Sequence, residues 1–262
     1  MIRSLCLAAR KYAFLLRELI VRDFKVKYKR SALGMLWSLL YPVLMMGVMA
    51  LVFRGVFRFS AGGVSYLAYL MTGLTIFNYF SEASNLAMSS VVANGALIRK
   101  VYMPKYVFPL SKCLFVGINF LLTLIPLYAV ILLTGTGLCW QHLLLPFDWI
   151  CLLSFTLGMG FLLSAAAVFL RDLFYIYGIV LTIWTYLTPI MYDLEAVGNK
   201  TLIALMKCNP LYQYINFART VILFHATPSA RQFFICGLSA VLFLFLGATV
   251  FRSGQDRFLS YL

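Results

Sequence analysis

Residues 22–42 read RDFKVKYKRSALGMLWSLLYP, and the change of character across Ser31 constrains this chain more than any other feature. Arg22, Lys25, Lys27, Lys29 and Arg30 crowd before Ser31, and beyond Gly34 an apolar run continues to Phe53. Charged side chains are costly in hydrocarbon and favourable beside anionic headgroups. The junction therefore puts the cations at a membrane surface and sends Leu36 onward into the bilayer. Composition agrees: 63% of the 262 residues are hydrophobic and 11% charged, where a soluble domain carries about 25% charged residues. Arg10, Lys11 and Arg17 interrupt any signal-type apolar core and no small-residue cleavage site follows, so the first span is expected to stay as an anchor.

The net charge of +14 does not indicate nucleic acid, because the cations sit between apolar runs and are not spread over a soluble surface. Cys6, Cys113, Cys139, Cys151, Cys208 and Cys236 form no CxxC pair, which supports neither a zinc site nor a redox motif. No metal is expected. Cys139 and Cys208 both fall on the side assigned below as outer, and spacing alone leaves their pairing open.

Leu5, Ala8, Ala9, Tyr12, Leu15, Leu16, Leu19 and Ile20 recur at helical intervals, with Arg3, Arg10, Lys11, Arg17 and Glu18 on the other face. This predicts an amphipathic helix over residues 3–20, lying in the interface and either resting on lipid or docking a cytoplasmic partner. A first span over 36–53 closes with Arg54, Arg58 and a turn at Gly62 and Gly63. A second begins near Tyr66 and runs to about Ile98, well beyond the ~20 residues a crossing needs. A bend or a partly polar second half is expected there, containing Glu82, Ser84, Asn85, Ser89, Ser90 and Asn94.

The connector over 97–112 is basic and is broken by Pro104 and Pro109. A third span covers 106–133 with Pro126 inside it, and a fourth covers 148–170, where Gly158, Gly160, Ser164 and Ala165 to Ala167 suit close helix packing. The turn FLRDLF precedes a fifth span over 174–191. Residues 193–230 are too polar for a full span; Leu211, Ile215, Ala218 and Ile222 mark one face and Arg219 is placed off it. A sixth span covers 232–251.

Six spans with both termini inside put sixteen Lys and Arg on the cytoplasmic side and six outside, as the positive-inside tendency favours. Residues 1–35 form the interface helix and basic junction; residues 36–262 form the membrane domain, with a connector at 94–105 and an outer region at 193–230.

No GxxxxGK(S/T) loop occurs, so any ATP hydrolysis belongs to a separate chain. His142 and His225 both fall in outer loops, which leaves no nucleophile with a base in reach and argues against an enzyme. Glu82 is nearly alone as an acid within a span; its simplest reading is a polar group satisfied by neighbouring Ser and Asn, against a direct transport role. Tyr177, Leu181, Trp184 and Thr188 form one stripe on the fifth span, which either lines a glycan path or packs against another helix. Trp37 and Tyr41, at the head of the first span, are further candidates for a channel wall.

RDFKVKYKRSALGMLWSLLYP from Arg22, LIRKVYMPKYVFPLS from Leu97, FLRDL from Phe169, TPIMY from Thr188 and NPLYQYINFAR from Asn209 occur in one order across nearly the whole chain. In this the chain resembles the permease subunit of polysaccharide-exporting ABC transporters, the ABC-2 group that includes O-antigen, teichoic acid and capsule exporters. The resemblance implies an all-α integral membrane protein of six transmembrane helices, an amphipathic N-terminal interface helix, and re-entrant or interfacial helices between spans five and six. It implies a coupling connector holding Asn94, Leu97, Arg99, Lys100 and Pro104, and an FLRDL turn whose Arg171 and Asp172 face the ATPase. It also implies outer gate helices bearing Asn209, Pro210, Tyr212 and Arg219. Asp23 is either a local charge partner or a contact that transmits partner movement. The implied assembly is two copies of this permease with two ATPase subunits, which hold ATP and Mg, in a bacterial cytoplasmic (inner) membrane. The implied substrate is a lipid-linked glycan moving outward. A small-amphiphile or drug pump of the same fold, and an ion-coupled secondary carrier, are the alternatives.

Overall fold

A computed structural model describes residues 2–29, 33–56, 65–100, 103–135, 137–194 and 197–261, without the side chains of residues 2–11, 35, 38, 46 and 49–56. The Ser31 junction, the turn at Gly62 and Gly63, and the Cys6, Arg54 and Arg58 side chains lie outside the described residues.

The described residues form helices and connecting turns. The N-terminal helix α1 spans Ile2–Tyr28, eight residues beyond the expected end at 20. Cations disguise the periodicity there: Leu16, Leu19, Ile20, Asp23, Phe24 and Tyr28 continue one inward stripe while Lys25 and Lys29 are exposed. α2 spans Trp37–Val56 and α3 spans Tyr66–Ala93. The second expected span breaks at Asn94, after which α4, Gly95–Lys100, forms the connector. α5 spans Val107–Leu133, and here Pro109 breaks nothing. It sits in the first helical turn, where backbone N–H groups have no intrahelical acceptor to lose.

A 3-10 turn at Trp140–Leu144 leads into α6, Leu145–Phe169, which starts three residues before the expected 148. Asp148 consequently lies in the first turn of α6 and is fully buried, so Glu82 is not nearly alone as an acid within the helices. α7, Leu173–Leu187, is shorter than the expected 174–191 because Pro189 ends it. Thr188, the residue before the proline, is extended at φ −97°, ψ 122°. α8, Lys200–Cys208, and α9, Pro210–Ile222, fill the expected mixed region. α10, Ala230–Gly254, continues through a short turn into α11, Phe258–Tyr261.

Among the described residues, three helical stretches are long and apolar enough to cross a membrane: Val107–Leu133, Trp140–Phe169 and Ala230–Tyr261. α3 has the length but carries Asn78, Ser81, Glu82 and Asn85 along one side, and α7 is shorter.

Packing is organised by α6, which lies along α10 and also against α3, and by α3 against α5. The α6–α10 crossing depends on glycine. A methyl group at Gly158 would overlap the backbone of Phe243, and one at Gly247 would overlap the backbone of Gly158. At Gly160 a Cβ would come within 2.8 Å of the Ala87 methyl on α3. Around this contact Phe80, Phe155, Phe217 and Tyr214 are fully buried in the main core. A second apolar cluster, holding Leu19, Ile98, Phe108, Phe161, Phe251 and Phe258, seats α1 and the connector on the ends of α5, α6 and α10. The outer faces of α7 and α10 stay apolar and exposed, with Ile179, Ile183, Val241 and Phe245 among them. Such faces suit lipid or a second chain.

Candidate functional site

Two polar centres and a cavity lie along α3. The first centre joins α1 to the connector. Asp23, 8% exposed, receives Lys112 Nζ at 2.7 Å from α5 and Arg22 at 3.3 Å from its own helix. Arg22 also donates to Asn94 Oδ1 at 3.2 Å, and the Asn94 amide donates to the Ser90 carbonyl at 2.7 Å. One acid thus couples α1, the C-terminal end of α3 and the start of α5. From this joint α4 presents Ile98 to the apolar cluster and leaves Arg99 and Lys100 exposed, while Leu97 is partly buried. Pro104 lies in the turn that follows, and Lys105 donates to the Gln255 carbonyl past α10. Arg171 and Asp172 are exposed in the turn between α6 and α7.

The second centre lies at the other end of α3. Tyr69 and Asn94 are ~38 Å apart along the helix at 1.5 Å per residue. Beyond α7 the backbone is no longer helical, and side-chain donors take up its carbonyls in turn. Arg219 donates to Pro189 O and Ile190 O at 2.8 Å each, Tyr66 to Met191 O at 3.0 Å, and Tyr69 to Tyr192 O at 3.3 Å. Such substitution is what lets irregular backbone sit inside a membrane protein. Arg219 also reaches Tyr69 O at 3.3 Å and lies 3.4 Å from the centre of the Tyr69 ring. Gly73 makes room for it, since a Cβ there would be 2.8 Å from its Nη2 atom.

Arg219 is 3% exposed, which corrects its expected position off the helical face. It stands four residues after Ile215 and eight after Leu211, hence on the same stripe. Burial pulls its pKa down to about 10, so it stays charged at neutral pH. Asn209 caps α9 by accepting from Leu211 N and also accepts from Trp184 Nε1, both at 3.0 Å; its amide donates to Thr188 Oγ1 at 2.8 Å. Pro210 occupies the first turn of α9, and Tyr212 is half-buried.

This geometry decides how the fifth-span stripe is used. Tyr177 is buried and donates to Ser84 Oγ at 2.6 Å, Leu181 is buried, Trp184 meets Phe80 edge-on at 5.1 Å, and Thr188 is buried against Asn209. The stripe packs onto α3 and α9. The opposite side of α7, with Tyr175 81% and Tyr186 71% exposed, faces away from the chain.

Between the two centres is a cavity of about 550 Å³. α3 lines it with Thr75, Asn78, Tyr79, Ser81, Glu82 and Asn85, α5 with Asn119, Phe120 and Thr123, α2 with Trp37 and Tyr41, and α1 with Lys27 and Tyr28. Glu82 pairs with Lys27 at 2.8 Å, so its partner is a cation on α1 and not the neighbouring Ser and Asn side chains. Sequence reasoning did not identify Lys112, Lys27, Tyr69 or the cavity. Its one available signal was the polar series Thr75, Asn78, Glu82, Asn85 at helical spacing. Cys139 and Cys208 are free thiols, and among the described residues no cluster of metal-ligating side chains occurs.

The model of the ABC-2 type transporter family matches residues 15–223. The O-antigen export system permease protein RfbA of Myxococcus xanthus is 30% identical over 250 residues, covering 95% of each chain. A protein of the same name from Klebsiella pneumoniae is 29% identical over 240 residues, 90% of each chain. The polysialic acid transport protein KpsM of Escherichia coli is 20% identical over 243 residues, 92% of this chain and 94% of its own.

Proposed function

The chain belongs to the ABC-2 type transporter family, and from that premise we propose that it is the channel-forming permease of an ATP-driven exporter carrying a lipid-linked polysaccharide outward across a bacterial inner membrane. Two copies form the channel, and two separate ATPase subunits supply the energy. The permease binds no cofactor of its own; ATP and Mg belong to the partner. The polysaccharide is suggested by relatives named for O-antigen export and polysialic acid transport, which align over nine-tenths or more of both chains.

The observation that carries the coupling part of the reading is the Asp23 joint. It makes α1, the C-terminal end of α3 and the start of α5 one mechanical unit, from which α4 extends with Arg99 and Lys100 exposed for a partner surface. Closure of the ATPase pair pushes on this unit, and α3 carries the displacement toward the Arg219 centre at its far end. Arg171 and Asp172 add a second exposed contact on the partner side. Asn209, Pro210, Tyr212 and Arg219 form the outer gate, in which a non-helical segment is held by side-chain donors that can release it without breaking a helix.

The channel wall is the apolar and aromatic outer face of α7 together with Trp37 and Tyr41, because Tyr177, Leu181 and Thr188 are committed to the core. Both termini lie in the cytoplasm; burial of Arg219 removes one cation from the outer surface and strengthens the charge asymmetry. The deciding experiment is deletion in the native host, followed by analysis of surface polymer and intracellular lipid-linked glycan. Surface polymer should vanish while the lipid-linked precursor accumulates. Unchanged surface polymer would overturn the reading, and loss of polymer without accumulation would assign the chain to synthesis.

A further inference from the structure

We infer that a second cavity, between α1, α6 and the C-terminal end of α10, is a site for the phosphate of an anionic glycerophospholipid whose acyl chains run back along α10. The export reading enters only in assigning that lipid to the cytoplasmic leaflet. The cavity holds about 480 Å³, within the ~300–1,000 Å³ usual for small-molecule sites. Arg252 and Gln255 of α10 and its following turn, and Tyr106 just before α5, give its wall polar groups. Among the described residues none of these three side chains makes an ion pair or a hydrogen bond. All three are open to a ligand, since Arg252 is exposed, Tyr106 is 40% exposed and Gln255 is half-buried. From Ala230, the first residue of α10, to Arg252 is ~33 Å along the helix at 1.5 Å per residue. That is close to the ~30 Å of a bilayer's hydrocarbon core, which puts the cavity at headgroup level.

The chemistry of the walls selects the ligand. Arg252 is the charged residue among the described lining, and no acid lines the cavity with it. Asp256, exposed in the turn that follows α10, is matched there by Arg257. Lys105 adds positive potential nearby, although its own ammonium is taken up by the Gln255 carbonyl and the Phe258 ring. A guanidinium beside a phenol and a carboxamide is rich in donors, as phosphate oxygens require. A choline headgroup would bring a second cation toward Arg252, so a lipid of net negative charge is preferred. The floor is apolar, with Phe161, Phe251 and Pro104. From it an exposed stripe of Ala248, Phe245 and Val241 continues along α10, four, seven and eleven residues before Arg252. Inorganic phosphate would use the donors and leave this stripe bare; a phospholipid covers both.

The test uses the full-length permease in phosphatidylcholine nanodiscs, with phosphatidylglycerol or phosphatidylcholine bearing a diazirine on an acyl chain as the probes. Labelling of the peptide holding residues 241–252 by the phosphatidylglycerol probe should exceed that by the phosphatidylcholine probe about fivefold, the effect of one cation on an anionic lipid. Arg252→Gln, at an exposed position, should bring the ratio close to one, and Arg252→Lys should keep most of it. Arg257→Gln, which removes an exposed cation outside the lining, should leave the ratio unchanged. Unlabelled phosphatidylglycerol should displace the probe, and inorganic phosphate should not. Ala248→Trp, also at an exposed position, should reduce the labelling by filling the site, and it carries the test if Arg252→Gln assembles poorly.

Equal labelling by the two probes, a ratio indifferent to Arg252→Gln, or an equal loss in Arg257→Gln would overturn the proposal, the last by showing diffuse surface charge in place of a site. Displacement by inorganic phosphate would overturn it in favour of a free-anion site. Failure here with surface polymer still dependent on this chain removes the lipid site alone. A phosphatidylglycerol preference that meets every expectation, in a chain whose deletion leaves surface polymer unchanged, removes the export reading and its leaflet assignment while the site stands.

Discussion

Replacing Asp23 by Asn tests whether one buried acid holds the connector to the N-terminal helix. The Asp23 side chain is 7% exposed and that of Lys112 18%, with 2.7 Å between charged atoms. At this distance, with an effective dielectric of ~20, the gross attraction is about 6 kcal/mol. Desolvation of both ions consumes much of it, and breaking such pairs by removing one partner typically costs about 3–5 kcal/mol. Asparagine keeps an oxygen that can accept from Lys112, so the expected loss is about 2–3 kcal/mol. Arg22, 43% exposed at its side chain, adds little to this figure because solvent screens it.

The assay is reversible unfolding in mixed micelles of Asp23→Asn, Lys112→Met and the double variant, with ATPase stimulation and polymer export measured in parallel. If the two residues act as a pair, the double variant is more stable than the sum of the singles predicts, by about 1 kcal/mol or more. Export should fall in Asp23→Asn even at temperatures where the protein stays folded. A single-variant loss below about 0.5 kcal/mol, or strict additivity in the double, would refute the reasoning. A folded Asp23→Asn variant with normal export and normal ATPase stimulation would leave the pair as a local contact without a transmitting role.

Arg219→Met should cost about 4 kcal/mol or more, because the buried Pro189, Ile190 and Tyr69 carbonyls lose a charged donor together. Arg219→Lys should recover only part, since an ammonium cannot spread over three acceptors as the guanidinium fork does; unfolding titrations decide both. Gly247→Ala should destabilise the protein by about 1–3 kcal/mol through overpacking at the α6–α10 crossing. Gly237→Ala on the same helix, where a Cβ meets nothing nearer than Phe147 Cζ at 3.9 Å, should instead stabilise it by about 0.5–1 kcal/mol, because alanine is the better helix former. Arg99→Glu combined with Lys100→Glu should leave stability within about 0.5 kcal/mol, as both side chains are exposed. Polymer export should nevertheless be lost, and unchanged export in that double variant would contradict the role given to the connector.

The helices themselves were legible because hydropathy and helical period are local properties. The apolar runs, the polar second half of α3, the proline-broken connector and the small residues of α6 all follow from neighbours in sequence. Local logic misplaced the end of α1, the start of α6 and the end of α7, and misread one proline. Cations hid the last two turns of α1, because their side chains reach solvent from a stripe that still packs. Pro109 read as a breaker, although in a first turn it costs no hydrogen bond.

Composition and charge placement, read along the chain, were sufficient to determine a helical membrane protein with a basic surface at one end, because transfer of each segment between water and lipid depends on that segment alone. Partnership was not determined in this way. Asp23 with Lys112, Lys27 with Glu82, and Arg219 with Tyr69 are separated by 89, 55 and 150 residues. Pairing across such distances depends on which faces meet after helices pack. The stripe of Tyr177, Leu181, Trp184 and Thr188 shows the same division. Its spacing established that the residues share a face, and only the packing of α7 on α3 and α9 showed that this face is turned into the core. Whether a side chain meets lipid, solvent or protein depends on the neighbouring helix, and no single segment carries that information.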